Sequence, residues 1–248
     1  MRLEAFYKVR DGNKGQLICF PYLGGYGNSF YDIVHAMTEE IEIWVANPPG
    51  HFGSELELIS DINELTSVYY KEISKIIRAN CAFFGHSMGG IVSFFLLDKM
   101  IFMQDKILPK TLILSACAAP LSYFDKNYSK LSDIDLVQQL KKYGGMPDTV
   151  LNNYQLMEVM LPIFRADYSI IESSAKASYH KINIKTHLLW GENDYTETTS
   201  AVQLWKNYLI QDFKITPIQG GEHMYIHDKA EEVVEYINQF MNLNTSKV

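Results

Sequence analysis

Cysteine is scarce in this chain, and positive charge is outnumbered. Only three cysteines occur in 248 residues, Cys19, Cys81 and Cys117, each in or beside an apolar run. An odd number without close spacing supplies neither a disulfide framework nor a zinc site, so buried packing thiols are expected. Lys and Arg number 22 against 29 Asp and Glu, a formal net charge of −7, and no basic block is present. Polyphosphate backbones and anionic membrane surfaces are held through clustered Lys and Arg, so neither nucleic acid nor membrane is expected as a partner. Long hydrophobic runs are missing as well. The longest, Ile91 to Met103, is broken by Asp98 and Lys99, and the first residues, "MRLEAFYKVRDGNKG", contain no apolar core of signal-peptide length. A soluble, cytoplasmic protein acting as a monomer is expected.

What remains is an ordinary globular composition, 47% hydrophobic and 21% charged, consistent with one domain over residues 1–248. Short apolar runs, "QLICF", "IEIWVA", "CAFFG", "TLILSAC", "THLLW" and "FKITPI", alternate with stretches of helical period. That alternation predicts an α/β fold with a mostly parallel central sheet flanked by helices. The segment "SDINELTSVYYKEISKIIR" opens on a cap-like Asp61 with Glu64 three residues on. It places Ile62, Leu65, Tyr69, Ile73 and Ile76 on one face. A last helix is expected from near Asp228, with Glu231 in its first turn and Val234, Ile237 and Met241 facing inward.

From Leu121 to about Lys185 the pattern is helical throughout. Ser132 with Asp135 starts one helix, which Lys141 and Lys142 close and Gly144 and Gly145 terminate. The next is expected from about Asp148 to Leu161. Val150, Tyr154, Met157 and Leu161 form one apolar stripe, and Leu156, Met160 and Phe164 another. A helix apolar on two sides either lies deep in the core or covers a pocket, and its place in an insertion between strands favours a lid.

Gly85, Ser87 and Gly89 fit G-x-S-x-G between the strand "CAFF" and the helix "GGIVSFFLL". At such a turn a serine takes a strained backbone conformation and projects its hydroxyl above the sheet. A serine hydroxyl is a weak nucleophile at neutral pH. It needs a histidine base and an acid that orients the imidazole, in the chain order Ser, Asp or Glu, His. After "THLLW" the loop "GENDYTE" offers Asp194 as the acid, with Glu192 and Glu197 as rivals. After "FKITPI" the loop "QGGEHMYIHD" offers His223 as the base, with His227 as rival. His86, next to the serine, cannot turn back on its neighbour and is assigned to packing and hydrogen bonding. An oxyanion hole is expected from the amide of Met88 and, in the loop "CFPYLGGYGNSF", that of Leu23, with Tyr22 as the alternative. Candidate substrate-binding residues are Tyr22 and His51 at the mouth, His51 being otherwise a surface loop residue, and Met157 and Met160 in the insertion.

With these residues in place the chain resembles the type II thioesterases of nonribosomal peptide and polyketide synthesis, a branch of the α/β-hydrolase superfamily. The likeness is carried by "CFPYLGG", "NPPGHFG" and "FGHSMGG", by the lid-like segments "KKYGGMP" and "PIFRADYSIIES", and by "WGENDY" and "GGEHMYIHD". It implies the α/β-hydrolase fold with a helical lid over about 121–185, and Ser87, Asp194 and His223 as the catalytic triad. It also implies acyl thioesters on the phosphopantetheine arm of acyl or peptidyl carrier proteins as substrates, with editing or release as the role and no cofactor of the protein's own. The chain departs from the family where His51 replaces a frequent arginine and Tyr22 a frequent histidine. Arg165 and Asp167 of the "RAD" segment are expected to pair and anchor the lid. A free-standing carboxylesterase or lipase, an acyltransferase, or a catalytically silent scaffold would carry the same motifs.

Overall fold

The computed structural model describes residues 3–243 apart from 145, 147 and 197. Gly145 and Glu197, named above, lie outside the described residues. Seven strands form one sheet: β1 (Phe6–Arg10), β2 (Gly15–Phe20), β3 (Ile41–Ala46), β4 (Cys81–His86), β5 (Thr111–Ser115), β6 (Lys185–Gly191) and β7 (Ile215–Ile218). Their order is β1-β3-β2-β4-β5-β6-β7, and only the β1–β3 pair is antiparallel. The six expected strands are all present. β1 was not foreseen: "FYKVR" has the buried face of a single residue, Phe6, and mixes charge into the rest, as a half-solvated edge strand does.

Alternation along the inner strands feeds two cores. Ile18, Phe20, Phe83, Leu112, Leu114 and Leu188 pack on one face, against α2 (Ile62–Ile76) and α3 (Met88–Phe102). Leu17, Cys19, Ala82, Phe84, Ile113 and Leu189 pack on the other, against α1 (Tyr31–Ala36) and the last helix. Strands covered on both faces read as unbroken apolar runs, which is why they were legible. The α2 boundary holds as expected, since the Asp61 carboxylate accepts from the amides of Asn63 and Glu64.

Between β5 and β6 the described chain is helical. Two 3₁₀ turns, Pro120–Tyr123 and Tyr128–Lys130, lead to α4 (Asp133–Lys141), capped by Ser132 on the Asp135 amide. The helix expected over 148–161 is instead two. α5 (Asp148–Leu151) stops after one turn, and α6 (Tyr154–Ser174) restarts from Asn153, whose side chain accepts from the Leu156 amide. α6 then runs through Pro162, which removes one helix hydrogen bond. Burial of Ile163, Phe164, Tyr168, Ile170 and Ile171 beyond it outweighs that loss. After β6 come α7 (Thr199–Gln203), a 3₁₀ turn at Leu204–Asn207, β7, then α8 (Tyr225–Asp228) and α9 (Ala230–Phe240). Among the described residues, no helix is long and apolar enough to cross a membrane.

Candidate active site

β4 ends at His86 and α3 begins at Met88, so a single residue makes the turn. Ser87 lies at φ 52°, ψ −121°, a conformation that costs a side-chain-bearing residue energy. Its amide donates to the Ser115 carbonyl on β5 at 2.7 Å, and its carbonyl accepts from the Gly90 amide at 2.9 Å. Both bonds hold the strain in place. A Cβ on Gly89 would overlap the Phe20 carbonyl at the end of β2, so α3 reaches this close to the sheet only with glycine there.

Two loops at the carboxyl ends of β6 and β7 bring the partners. Nε2 of His223 lies 3.0 Å from Oγ of Ser87, and its Nδ1 lies 2.9 Å from Oδ2 of Asp194. A carboxylate only accepts, so Nδ1 carries the hydrogen and Nε2 is left to accept from the serine hydroxyl. Both His223 and Asp194 are buried. Burial opposes ionisation of Asp194, but hydrogen bonds from His223 and Thr196 outweigh it and hold the carboxyl below its ordinary pKa. Thr196, which sequence reading passed over, donates to Oδ1 of Asp194 through its hydroxyl at 2.6 Å and its amide at 3.0 Å. The spacing Asp-x-Thr is a turn signature that could have drawn attention to it.

The rivals do other work. Glu192 accepts from the Gly220 amide at 3.0 Å, tying the acid loop to the base loop. His227 faces outward, with Nδ1 2.7 Å from Asp32 and Nε2 3.2 Å from the Tyr22 hydroxyl. Beneath the base runs a directed chain: the Tyr225 hydroxyl donates to the Leu189 carbonyl at 3.1 Å and so accepts from Ser115 at 2.6 Å. Ser115 then accepts from Nδ1 of His86 at 2.8 Å. Burial first, then the charges of His223 and His227, push the His86 ring well below its ordinary pKa. It packs and hydrogen-bonds beneath the base, the role expected of it. The three cysteines are buried free thiols whose pKa burial raises.

The loop after β2 makes a tight turn in which the Gly25 amide donates to the Tyr22 carbonyl at 2.8 Å and Gly24 takes φ +73°. Among the described residues no protein group accepts from the amide of Leu23 or of Met88. The Met88 amide opens α3, at the positive end of the helix dipole.

A cavity of about 180 Å³ opens on Ser87 and His223. Tyr22, Leu23 and Gly24 form one wall. Leu140, Tyr143, Met146, Phe164, Tyr168 and Ile171 of the insertion form the other. The Tyr143 ring rests on that of His223, centroids 4.9 Å apart. Of the four expected substrate-binding residues, only Tyr22 lines this cavity. Met157 lines a separate groove between α4, α5 and α6, and Met160 lines neither. On α6 the stripe facing the serine is Phe164, Tyr168 and Ile171, at spacings of four and three, two turns beyond the methionines. His51 is not at the mouth but buried, bonded to Gly25 and Asp167. Nor do Arg165 and Asp167 pair. Two residues apart on a helix, they point to different sides. Arg165 donates instead to the carbonyls of Ser129 and Leu131 and pairs with Asp133.

A half-buried serine hydroxyl, bonded to a buried histidine and carboxylate and opening onto an apolar cavity, can transfer an acyl group to water or to another acceptor. Comparison with known proteins gives the same direction. The family model described as Thioesterase domain matches residues 15–241. The chain is 28% identical over 238 residues to the gramicidin S biosynthesis protein GrsT of Aneurinibacillus migulanus, covering 95% of this chain and 92% of that one. Among solved structures, the type II thioesterase YbtT of a yersiniabactin pathway superposes with a TM-score of 0.82 at 23% identity, over 96% of this chain and 98% of that one. The type II thioesterase BorB of the borrelidin cluster gives 0.81 at 24%, over 96% and 97%.

Proposed function

This chain belongs to the thioesterase-domain family, and from that premise we propose that it hydrolyses acyl thioesters carried on the phosphopantetheine arm of acyl or peptidyl carrier proteins. The role we infer is editing or release of acyl groups in nonribosomal peptide or polyketide synthesis. The observation that carries the reading is the hydrogen-bonded line Ser87–His223–Asp194 facing an apolar cavity roofed by the insertion. The biosynthetic names of its relatives favour the carrier-bound substrate.

The geometry supports the following course. The acyl chain enters the cavity against Phe164, Tyr168 and Ile171, with its thioester carbonyl beside Ser87. His223 takes the hydroxyl proton at Nε2 as Oγ bonds to the carbonyl carbon, and Asp194 stabilises the imidazolium. The amides of Leu23 and Met88 donate to the oxyanion. When the C–S bond breaks, the sulfur leaves with the proton from His223 as the pantetheine thiol. Water then enters, gives its proton to Nε2 and attacks the acyl-enzyme. Collapse returns the proton to Ser87 and frees the acid. Water is the only co-reactant, so the scheme calls on no cofactor held by the protein.

The test is a panel of acyl-loaded carrier proteins assayed beside the same acyl groups on coenzyme A and on a simple aryl ester. Higher kcat/KM on the loaded carriers is expected. A large preference for the aryl ester would replace this reading with a free-standing esterase, and formation of a new ester or amide in place of the acid would make it an acyltransferase.

A further inference from the structure

Three separate segments meet behind the oxyanion loop, and two buried side chains join them. Asp167, fully buried on α6, accepts from the Gly24 amide at 2.6 Å through Oδ2 and faces Nε2 of His51 at 3.1 Å through Oδ1. His51 is 4% exposed, and its Nδ1 lies 2.7 Å from the Gly25 carbonyl oxygen. It is delivered there by the turn Pro48–His51, closed by the His51 amide on the Pro48 carbonyl, with Gly50 at φ +77°.

The hydrogen-bond arithmetic is restrictive. A carbonyl oxygen and a carboxylate both only accept, and His51 presents one ring nitrogen to each. Both nitrogens satisfy their neighbours only when both carry hydrogen, that is, as an imidazolium. A neutral ring would leave one buried acceptor facing a lone pair. Burial opposes the charged ring, but the charge and hydrogen bond of Asp167, with the Gly25 carbonyl, outweigh it and raise its pKa. From α2 the titratable group beside the pair is Tyr69. Its phenol is pushed well above its ordinary pKa by burial first and by Asp167 second, so it stays neutral.

We propose that His51 and Asp167 are positioning residues, a buried ion pair that fixes the oxyanion loop and fastens it to the helix roofing the cavity. The Leu23 N–H shares its peptide plane with the Tyr22 carbonyl, which the Gly25 amide holds. Asp167 anchors Gly24 and His51 anchors Gly25, so that plane has one orientation. Neither His51 nor Asp167 itself lines the cavity; the pair acts through its bonds to Gly24 and Gly25 of the loop. Because one member is a histidine, the brace can be discharged by alkali, which a permanently charged side chain would prevent.

The kinetic half of this inference rests on the hydrolase reading; the protonation half does not. ¹⁵N-histidine NMR of the wild-type protein at pH 7 is expected to show His51 with both ring nitrogens protonated, losing one only as pH rises further. In acyl-carrier hydrolysis, His51→Gln is expected to lower kcat about 10- to 100-fold with KM little changed, less than or equal to the loss of a whole oxyanion donor. His51→Arg, a fixed charge with several donors, should restore much of kcat and remove the alkaline fall in the wild-type profile. A singly protonated ring at pH 7 overturns the ion pair even if the Arg variant does not fold. A folded His51→Gln protein with wild-type kcat overturns the positioning role. Wild-type protein that hydrolyses no thioester, yet whose Ser87 reacts with a fluorophosphonate, overturns the substrate reading and leaves the NMR result standing.

Discussion

Ser87, His223 and Asp194 form one hydrogen-bonded line, in which each bond determines what the next can do. Ser87→Ala and His223→Ala are each expected to lower kcat by about 10⁴-fold or more, with an unchanged circular dichroism spectrum and cooperative melting. His227→Ala is the control: its ring bonds Asp32 and Tyr22 on the outside, and hydrolysis should fall by far less. Equal loss in the two histidine variants would reassign the base. Thr196→Val removes one donor to Oδ1 of Asp194 together with the hydroxyl 3.1 Å from Nδ1 of His223, and leaves the Asp194–His223 bond in place. A loss of about 10-fold in kcat is expected, of the order of one hydrogen bond to a charged group. The order Ser, Asp, His was legible because each residue follows an apolar strand run. Thr196 was not, because its role depends on which oxygen of Asp194 the histidine leaves free.

Among the elements, the insertion between β5 and β6 supplies most of the apolar lining of the cavity on Ser87. Its helices were visible from caps and stripes, and Ser132 and Asp135 do open α4. The face turned to the serine was misread. Periodicity says that a helix has an apolar stripe, but not what that stripe meets, and α6 has apolar surface for both the outer groove and the cavity. The prediction at this scale concerns Leu140 on α4, which is buried and lines the cavity wall. Leu140→Ala should enlarge the cavity and cost about 2–5 kcal/mol in unfolding free energy. Relative rates on an acyl-chain series should move toward longer chains, read as kcat/KM ratios within the series. An unchanged ratio would mean that the acyl group lies elsewhere.

For the whole molecule, charges buried between segments make stability depend on pH from two sides. The Asp194 carboxyl has a folded-state pKa below its unfolded one, so its contribution is present above about pH 4 and is lost as pH falls through the lower folded value. His51 has the opposite sign. Its folded-state pKa is raised, so its contribution is complete below about pH 6.5 and is lost as pH rises through the higher folded value. The melting temperature should therefore fall on the alkaline side in wild-type protein, and His51→Gln should flatten that limb while lowering the plateau beneath it. Parallel alkaline limbs in the two proteins would show that His51 is not the group responsible.

The sequence by itself determined six of the seven strands, the elbow and the order Ser, Asp, His. Those follow from local physics: apolar runs that must be buried on both faces, glycines where backbones touch, and loops at the carboxyl ends of strands. Only the tertiary structure decided who stands beside whom across the chain. Asp167 was read as the partner of Arg165, two residues away, yet it meets His51, 116 residues distant. β1 escaped because an edge strand hides only one side chain, and Met157 and Met160 gave way to Phe164, Tyr168 and Ile171. Side-chain pairing at long range is set by how the helices and loops pack around the sheet, and one-dimensional periodicity does not carry that information.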